Sequence, residues 1–280
     1  DTVHTHFTDM KTDMCVNIAC LGLRVKKFKH YRSSFGSFGT IKKFFARVCY
    51  RSWNAVICVS PHILREAESN IVSCKPVLLN DAVYFPRMDN YEKLCKPDLG
   101  VPESAVLCFA IGYDYRLKGI DLACEAVKKL RDEGLNIYLA VCTASNTQTI
   151  AEQIRAQFGE FPEWLKLLPP RQDIASYYCA ADIYIQASRS EGFCYAIVEA
   201  AYCGKTVVAS DCPGMKSHAE KNFDFLWFKN DDSDSLSEKL GQAVKMSESS
   251  ELPSKNRRAA IDNYSIENMS KKLYRIYADM

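Results

Sequence analysis

No apolar run in this chain is long enough to span a bilayer as a helix. No two of its thirteen cysteines have C-x-x-C spacing, and their number is odd. That argues against a zinc ribbon and against a disulfide framework. Net charge is nearly absent too, at +2 over 280 residues, so there is no bulk electrostatic case for a nucleic-acid partner. No internal repeat or low-complexity segment stands out, and the opening residues, without an initiator methionine, do not read as a signal peptide. The chain opens directly on strand-like residues, "DTVHTHF", which reads as a fragment or as a chain whose start lies upstream. Several cysteines sit in apolar runs ("AVICVS", "AVLCFAIG", "YLAVCTA"), where a thiol behaves as a small buried hydrophobe. The expectation is a reduced, cytoplasmic protein.

What is present is an ordinary globular composition, with 48% hydrophobic and 25% charged residues, and enough length for one large or two medium domains. Ten short apolar runs read as strands: "TVHTH", "VKKFKHY", "AVICVS", "KPVLL", "AVLCFAIG", "NIYLAVC", "WLKLL", "DIYIQA", "KTVVAS" and "FDFLWF". Helical patterns such as "IKKFFARVCYRSW" and "GIDLACEAVKKLRDEG" lie between most of them. Strands alternating with helices predict parallel sheets built from right-handed βαβ units. Residues 80–104 break the alternation with three prolines and no clear period, and read as a linker. The predicted division is a first α/β domain over 1–88 with four strands and a second over 89–264 with six, the complement of a doubly wound sheet. Two long helices close the chain, the last opening at Ser265, a suitable N-cap.

Two strings carry chemistry. In "DIYIQASRSEGFCYAIVEAAYCG" a strand, a polar turn and a helix follow one another. Ligands of doubly wound sheets bind where strand ends meet helix N-termini. Gly192 permits a tight turn and close approach of a ligand to backbone. The N–H groups of Phe193, Cys194 and Tyr195 offer an anion or hydroxyl site. Glu191 sits at the mouth, suited to sugar hydroxyls, and Glu199 in the helix is suited to a vicinal diol such as ribose. A lone loop glutamate is ordinarily solvated and a lone helix glutamate ordinarily lies on a surface; the full string points to a ligand. In "FAIGYDYRLKGID" a buried strand ends at Gly112, Arg116 and Lys118 follow, and Gly119 opens a helix. Two cations beside a helix N-terminus suit a diphosphate.

Together these strings resemble the retaining glycosyltransferases of family 4, which have the GT-B fold: two Rossmann-like domains facing a cleft. The family's Glu, Gly, aromatic and second Glu are matched by Glu191, Gly192, Phe193 and Glu199. "YDYRLKGID" is similar to its diphosphate loop at Lys118 and Gly119, with Arg116 in a position that varies. Lys205 stands where a small or apolar residue is usual, Thr206 where Pro is common, and Asp81 where Gly usually follows Asn80. The closing "YSIENMSKKLYRIY" resembles the terminal helix that returns to the first domain, and the likeness covers nearly the whole chain. It implies a nucleotide-activated sugar, UDP- or GDP-linked, held by the second domain and a glycan or lipid-linked acceptor held by the first, with neither metal nor cofactor. It also implies that Lys118 and Arg116 stabilise the leaving diphosphate, that Glu191 holds the transferred sugar and Glu199 the ribose, and that Gly112 and Cys194 line the donor site. Arg171, in "LPPRQDI", falls where the family places nucleobase contacts. A full nucleotide-binding half has about six strands, so the first domain is read as missing its start. Polysaccharide assembly is a setting suggested by family breadth alone.

On the acceptor side the resemblance gives His6, at a strand end, and Arg32 and Ser33, in the loop "HYRSSFGSFG". Two histidines at i and i+2, His4 and His6, also mark metal-dependent amidohydrolases. That reading needs further ligands at later strand ends, and only His30, His62 and His218 remain, none in such a setting; no metal is expected. The basic run "RVKKFKH" is compatible with a lipid-linked acceptor at the inner face of a membrane, and equally with a solvated face, which is the expectation. Two other classes stay open: a nucleotide-sugar epimerase on the same fold, and a non-catalytic nucleotide-sugar-binding subunit.

Overall fold

Each of the ten apolar runs forms a strand in the computed structural model, which describes residues 1–6, 9–36, 38–71, 73–144, 146–246 and 251–280. Phe7 of "VHTHF" and Ser37 of "HYRSSFGSFG" lie outside the described residues. The chain divides into two units. One comprises Asp1–Ala82, Glu191–Phe193 and Ile266–Met280; the other comprises Val83–Ser190 and Cys194–Ser265.

The first unit is built on a parallel sheet in the order β1 (Thr2–Thr5), β2 (Lys26–Tyr31), β3 (Ala55–Cys58), β4 (Lys75–Leu78). The connecting helices are α1 (Met10–Ala19), α2 (Thr40–Tyr50) and α3 (Pro61–Asn70). Local chemistry sets their starts. Asp9 caps α1 by accepting from the Thr12 N–H, and Ser60 caps α3 with Pro61 in its first turn. The terminal helix α11 (Ile266–Asp279) carries Met269, Leu273, Ile276 and Tyr277 at helical spacing. Together with Met280, that stripe covers Phe28, Ala55, Ile57 and Leu79 of the sheet.

The run "RVKKFKH" is not a solvated face throughout, contrary to expectation: Arg24 is exposed, but Lys26 to His30 belong to β2, with Lys29 fully buried and Lys27 nearly so. The ammonium of Lys29 pairs with Asp13 at 2.8 Å, and Tyr50 donates to the same carboxylate at 2.7 Å. Lys27 donates to Asn17 at 2.7 Å and to Ser52 at 2.6 Å. Buried cations are tolerated because each has its partner in place.

The second unit holds six parallel strands in the order β10-β9-β8-β5-β6-β7. They are β5 (Val106–Ile111), β6 (Ile137–Cys142), β7 (Leu165–Leu168), β8 (Ile183–Gln186), β9 (Thr206–Ser210) and β10 (Leu226–Phe228). Helices α4 (Ile120–Asp132), α5 (Thr147–Phe158), α6 (Ala175–Ala180), α7 (Tyr195–Tyr202), α8 (Pro213–Lys216), α9 (Ser233–Met246) and α10 (Glu251–Tyr264) connect and cover them. The strand order reverses between β5 and β8, the topological switch of a doubly wound sheet. The stretch read as a linker is packed from Val83 onward: Val83 bridges to Ser265, and Phe85 stacks on Tyr202 with ring centroids 4.4 Å apart. Its prolines supply two 3-10 turns, Phe85–Met88 and Pro97–Leu99, rather than a break in the fold.

None of the thirteen cysteines is in a disulfide, and eight of them are buried. Burial pushes the Cys58 thiol up to about 12 and that of Cys142 to about 11, the behaviour of small apolar side chains. No helix among the described residues is long and apolar enough to cross a membrane.

Candidate functional site

The loops that leave β5 and β8 meet at the switch of the second sheet. The Arg189 N–H donates to the Leu117 carbonyl at 2.9 Å, stitching the two loops together. Gly119 makes the approach feasible. Its φ is +65°, and a Cβ there would lie 2.0 Å from the Ala187 carbonyl oxygen. Gly119 is also the N-cap of α4, whose first N–H, that of Ile120, donates to the Tyr115 carbonyl at 3.0 Å.

Arg116 and Lys118 both belong to the β5 loop, and Arg116 has a partner that gave no signal in the sequence. Asp121, buried in the first turn of α4, takes Arg116 at 2.5 Å and Arg189 at 2.8 Å. Arg189 also pairs with Asp231 at 2.7 Å. Three guanidinium and ammonium groups thus rise beside one helix N-terminus, and one buried carboxylate fixes two of them. The Arg116 side chain stays 70% exposed, open to a ligand. Lys118 lies over the ring of Tyr113 at 5.0 Å. Gly112, at the end of β5, has no room for a side chain, because a Cβ would meet Ile120 at 2.8 Å.

Glu199 is not a surface glutamate. It is buried on α7, where Arg87 pairs with one carboxylate oxygen and the Tyr178 hydroxyl donates to the other at 3.2 Å. Arg87, in the 3-10 turn after Val83, gave no signal in the sequence because the fold alone brings residues 112 positions apart together. Cys194, the residue before α7, adopts φ +64° and is buried. Arg171 follows β7 and lies 5.6 Å from the Tyr177 ring. Its guanidinium is engaged by Asp173 at 2.8 Å and Glu92 at 2.6 Å. Lys205, the departure from the family pattern, donates to the carbonyls of Cys179 and Ala181 at 3.2 and 3.0 Å, closing the C-terminus of α6.

Glu191, Gly192 and Phe193 group with the first unit. A Cβ on Gly192 would lie 2.2 Å from the Arg32 carbonyl oxygen, so the glycine is demanded by a close backbone approach. Phe193 is buried and Glu191 half-buried. Arg32 and Ser33 are exposed at the start of the loop after β2. Arg32 reaches Asp81 at 3.3 Å, and Glu66 holds the loop by accepting from Ser34 at 2.6 Å and from the Phe35 N–H at 3.0 Å. Asp81 is buried after β4 and also lies 3.9 Å from His30. The substitution of the usual glycine was the one sequence signal that it mattered.

The expectation that no later histidine lies near His4 and His6 is overturned. His30 sits on β2, in register beside β1, and its ring stacks 5.3 Å from His4 and lies 5.2 Å from His6. Parallel pairing does this: residue 5 pairs residue 29, so the next residue of each strand meets the other. Burial, with Arg32 adding to it, depresses His30 to about 3. Burial and then His6 depress His4 to about 4. His6 is exposed, and burial with Arg32 lowers it in the same direction. His218 is separate, hydrogen-bonded through Nδ1 to the Tyr264 hydroxyl at 2.8 Å.

With this geometry in place, comparison with solved structures identifies the fold as GT-B. A glycosyltransferase from Rickettsia africae ESF-5 superposes with TM-score 0.85 at 19% identity, covering 100% of this chain and 76% of that one. Anabaena HepE, solved with UDP and glucose, superposes with TM-score 0.79 at 16% identity, covering 99% and 78%. The model of the glycosyl transferases group 1 family matches residues 95–262, more than half of the chain, and the chain belongs to that family. Among relatives, one subunit of the human phosphatidylinositol N-acetylglucosaminyltransferase is 25% identical over 89% of this chain and 51% of its own length. A Campylobacter jejuni N,N'-diacetylbacillosaminyl-diphospho-undecaprenol alpha-1,3-N-acetylgalactosaminyltransferase is 38% identical over 26% of this chain and 19% of its own. The chain spans about half or less of the length of these two relatives.

Proposed function

We propose that this chain carries a retaining glycosyltransferase activity, moving a sugar from a UDP- or GDP-sugar to a hydroxyl of a glycan or lipid-linked acceptor without a metal. The observation that carries the reading is the cationic switch point: Arg116 and Lys118 beside the N-terminus of α4, where the β5 and β8 loops meet. A nucleoside diphosphate is a weak base, so its departure needs electrostatic stabilisation rather than a protonating acid. In this reading Arg116, Lys118 and the α4 N–H groups take the developing diphosphate charge. Glu199 accepts from the ribose, Arg171 borders the base, and Gly112 and Cys194 admit the donor to backbone. Glu191 orients the transferred sugar, while His6, Arg32 and Ser33 serve the acceptor. The bond from the anomeric carbon to phosphate breaks, and the bond to the acceptor oxygen forms on the same face. The acceptor proton leaves on a phosphate oxygen of the departing nucleotide. The UDP-bound structure of Anabaena HepE supports the donor class, and the lipid-linked substrates in the relatives' names support the acceptor class.

The test is calorimetric titration with UDP, GDP and ADP in EDTA, followed by transfer assays. One nucleotide is expected to bind, and Lys118→Ala and Glu199→Ala are each expected to weaken it about tenfold or more. A folded chain that binds none refutes the donor site. Sugar interconversion without acceptor supports the epimerase instead. Unchanged function in Lys118→Ala supports the non-catalytic binding protein.

We also propose that the membrane contact, displaced from "RVKKFKH", lies on α2. Ile41, Phe44, Phe45 and Val48 are exposed there among Lys42, Lys43 and Arg47. Apolar side chains ringed by cations on one helix suit an anionic lipid surface.

A further inference from the structure

We propose that His4, His6 and His30 form a binding site for a divalent transition ion of the zinc class, with Asp81 as a fourth protein ligand. One ring nitrogen from each histidine lies within 4.8 Å of the others. Ligands sharing one tetrahedral ion at ~2.0–2.1 Å stand about 3.3 Å apart. Small ring rotations therefore close the set without moving the strands.

Three further observations point to a ligand. First, the Nε2 atom of His4 and both ring nitrogens of His30 are buried and have no hydrogen-bond partner among the described residues. Buried polar atoms are ordinarily satisfied, and a shared ion satisfies the His4 atom and one of the two His30 nitrogens at once. Second, the other nitrogen of His4, Nδ1, is hydrogen-bonded to the Tyr277 hydroxyl on α11. That leaves Nε2 for the ion and holds the ring in place, the usual arrangement behind a metal-binding histidine. Third, a carboxylate is at hand: Asp81 Oδ1 lies 3.9 Å from His30 Nε2.

The competing charges have counterparts. Lys29 pairs with Asp13 at 2.8 Å, and Arg32 reaches Asp81 at 3.3 Å. Arg32 is exposed and can swing away when the carboxylate turns to an ion. Imidazole ligands select zinc, cobalt, nickel or copper over magnesium and calcium, which prefer all-oxygen sites. The site shares His6 and Arg32 with the acceptor side of the transfer reading, whose chemistry uses no metal, and is tested with metal alone.

The experiment is calorimetric titration of the whole chain, stripped with EDTA and then freed of it, with zinc chloride and separately with magnesium chloride. Cobalt absorption spectra report the ligand set. Zinc is expected to bind with one equivalent at this site, magnesium to give no saturable heat, and cobalt to develop ligand-field bands. His6→Gln, at an exposed position, is expected to weaken zinc at the site about tenfold or more and to alter the cobalt bands. Tyr277→Phe should weaken it by about tenfold, and His62→Gln should leave it unchanged. His30→Asn should abolish it, and if that variant fails to fold, His6→Gln decides. Absence of saturable zinc binding to the parent chain overturns the site. So does zinc binding and a cobalt spectrum that His6→Gln leaves unchanged, because the ion then sits on other groups, such as the thiols.

Discussion

At the scale of single residues, the environment of each group decides its role. Glu199 is buried and Arg87 half-exposed, so the pair is asymmetric. Arg87→Ala leaves a buried carboxylate with the Tyr178 hydroxyl but without its cation. It is expected to lower stability by about 1–3 kcal/mol in denaturant titrations. Nucleotide affinity should fall less than in Glu199→Ala, because the carboxylate itself remains. Cys179 is the exception among the thiols. A hydrogen bond from Cys203 outweighs burial and brings it down to about 6, whereas Asp98 raises the exposed Cys95. Cys179 is therefore the readier of the two to ionise. Iodoacetamide is expected to label Cys179 first by mass spectrometry, with the rate falling as pH drops through about 6. Preferential labelling of Cys95 would contradict the assignment.

At the scale of elements, two joints are decisive. Gly119→Ala forces a side chain into left-handed backbone and onto the Ala187 carbonyl. The conformational cost alone is about 1–2 kcal/mol, and the steric clash drives the β5 and β8 loops apart. The expected result is a lower unfolding midpoint together with weakened nucleotide binding. The α1–β2 joint rests on Asp13 and Lys29, both fully buried. Asp13→Ala removes the carboxylate partner of a buried ammonium, a change that typically costs about 3–5 kcal/mol. Equilibrium denaturation checks it, and a loss below about 1 kcal/mol would mean that the pair contributes little. For α2, sedimentation with vesicles containing about a third phosphatidylglycerol is expected to retain the chain, and neutral vesicles are not. Replacing Phe44 and Phe45 by serine should release it. Equal binding to neutral vesicles, or none to either, refutes the anionic-surface reading.

At the scale of the whole molecule, the chain is nearly neutral and none of its thirteen cysteines is in a disulfide. Its stability comes from two parallel sheets with helices packed against them. Thermal unfolding is therefore expected at the same temperature with and without a reductant, measured in the presence of EDTA to exclude metal effects. A drop on reduction would reveal a disulfide between thiols that are separate in this structure.

The sequence by itself determined the elements and the class. Alternating apolar runs and helical patterns are local signals, so the ten strands and the parallel α/β architecture were legible. So were the strand, turn and helix around Gly119 and those from Asp182 to Tyr202. Only the tertiary structure decided what those residues touch. Arg87 on Glu199, Arg189 on Asp121, and His30 beside His4 and His6 are joined by strand order, register and packing, which bring together side chains distant along the chain. Burial is likewise a property of the assembled sheet. That is why Lys26 to His30 of "RVKKFKH", basic enough to look solvated, became part of an interior strand once Asp13, Asn17 and Ser52 arrived to receive its charges.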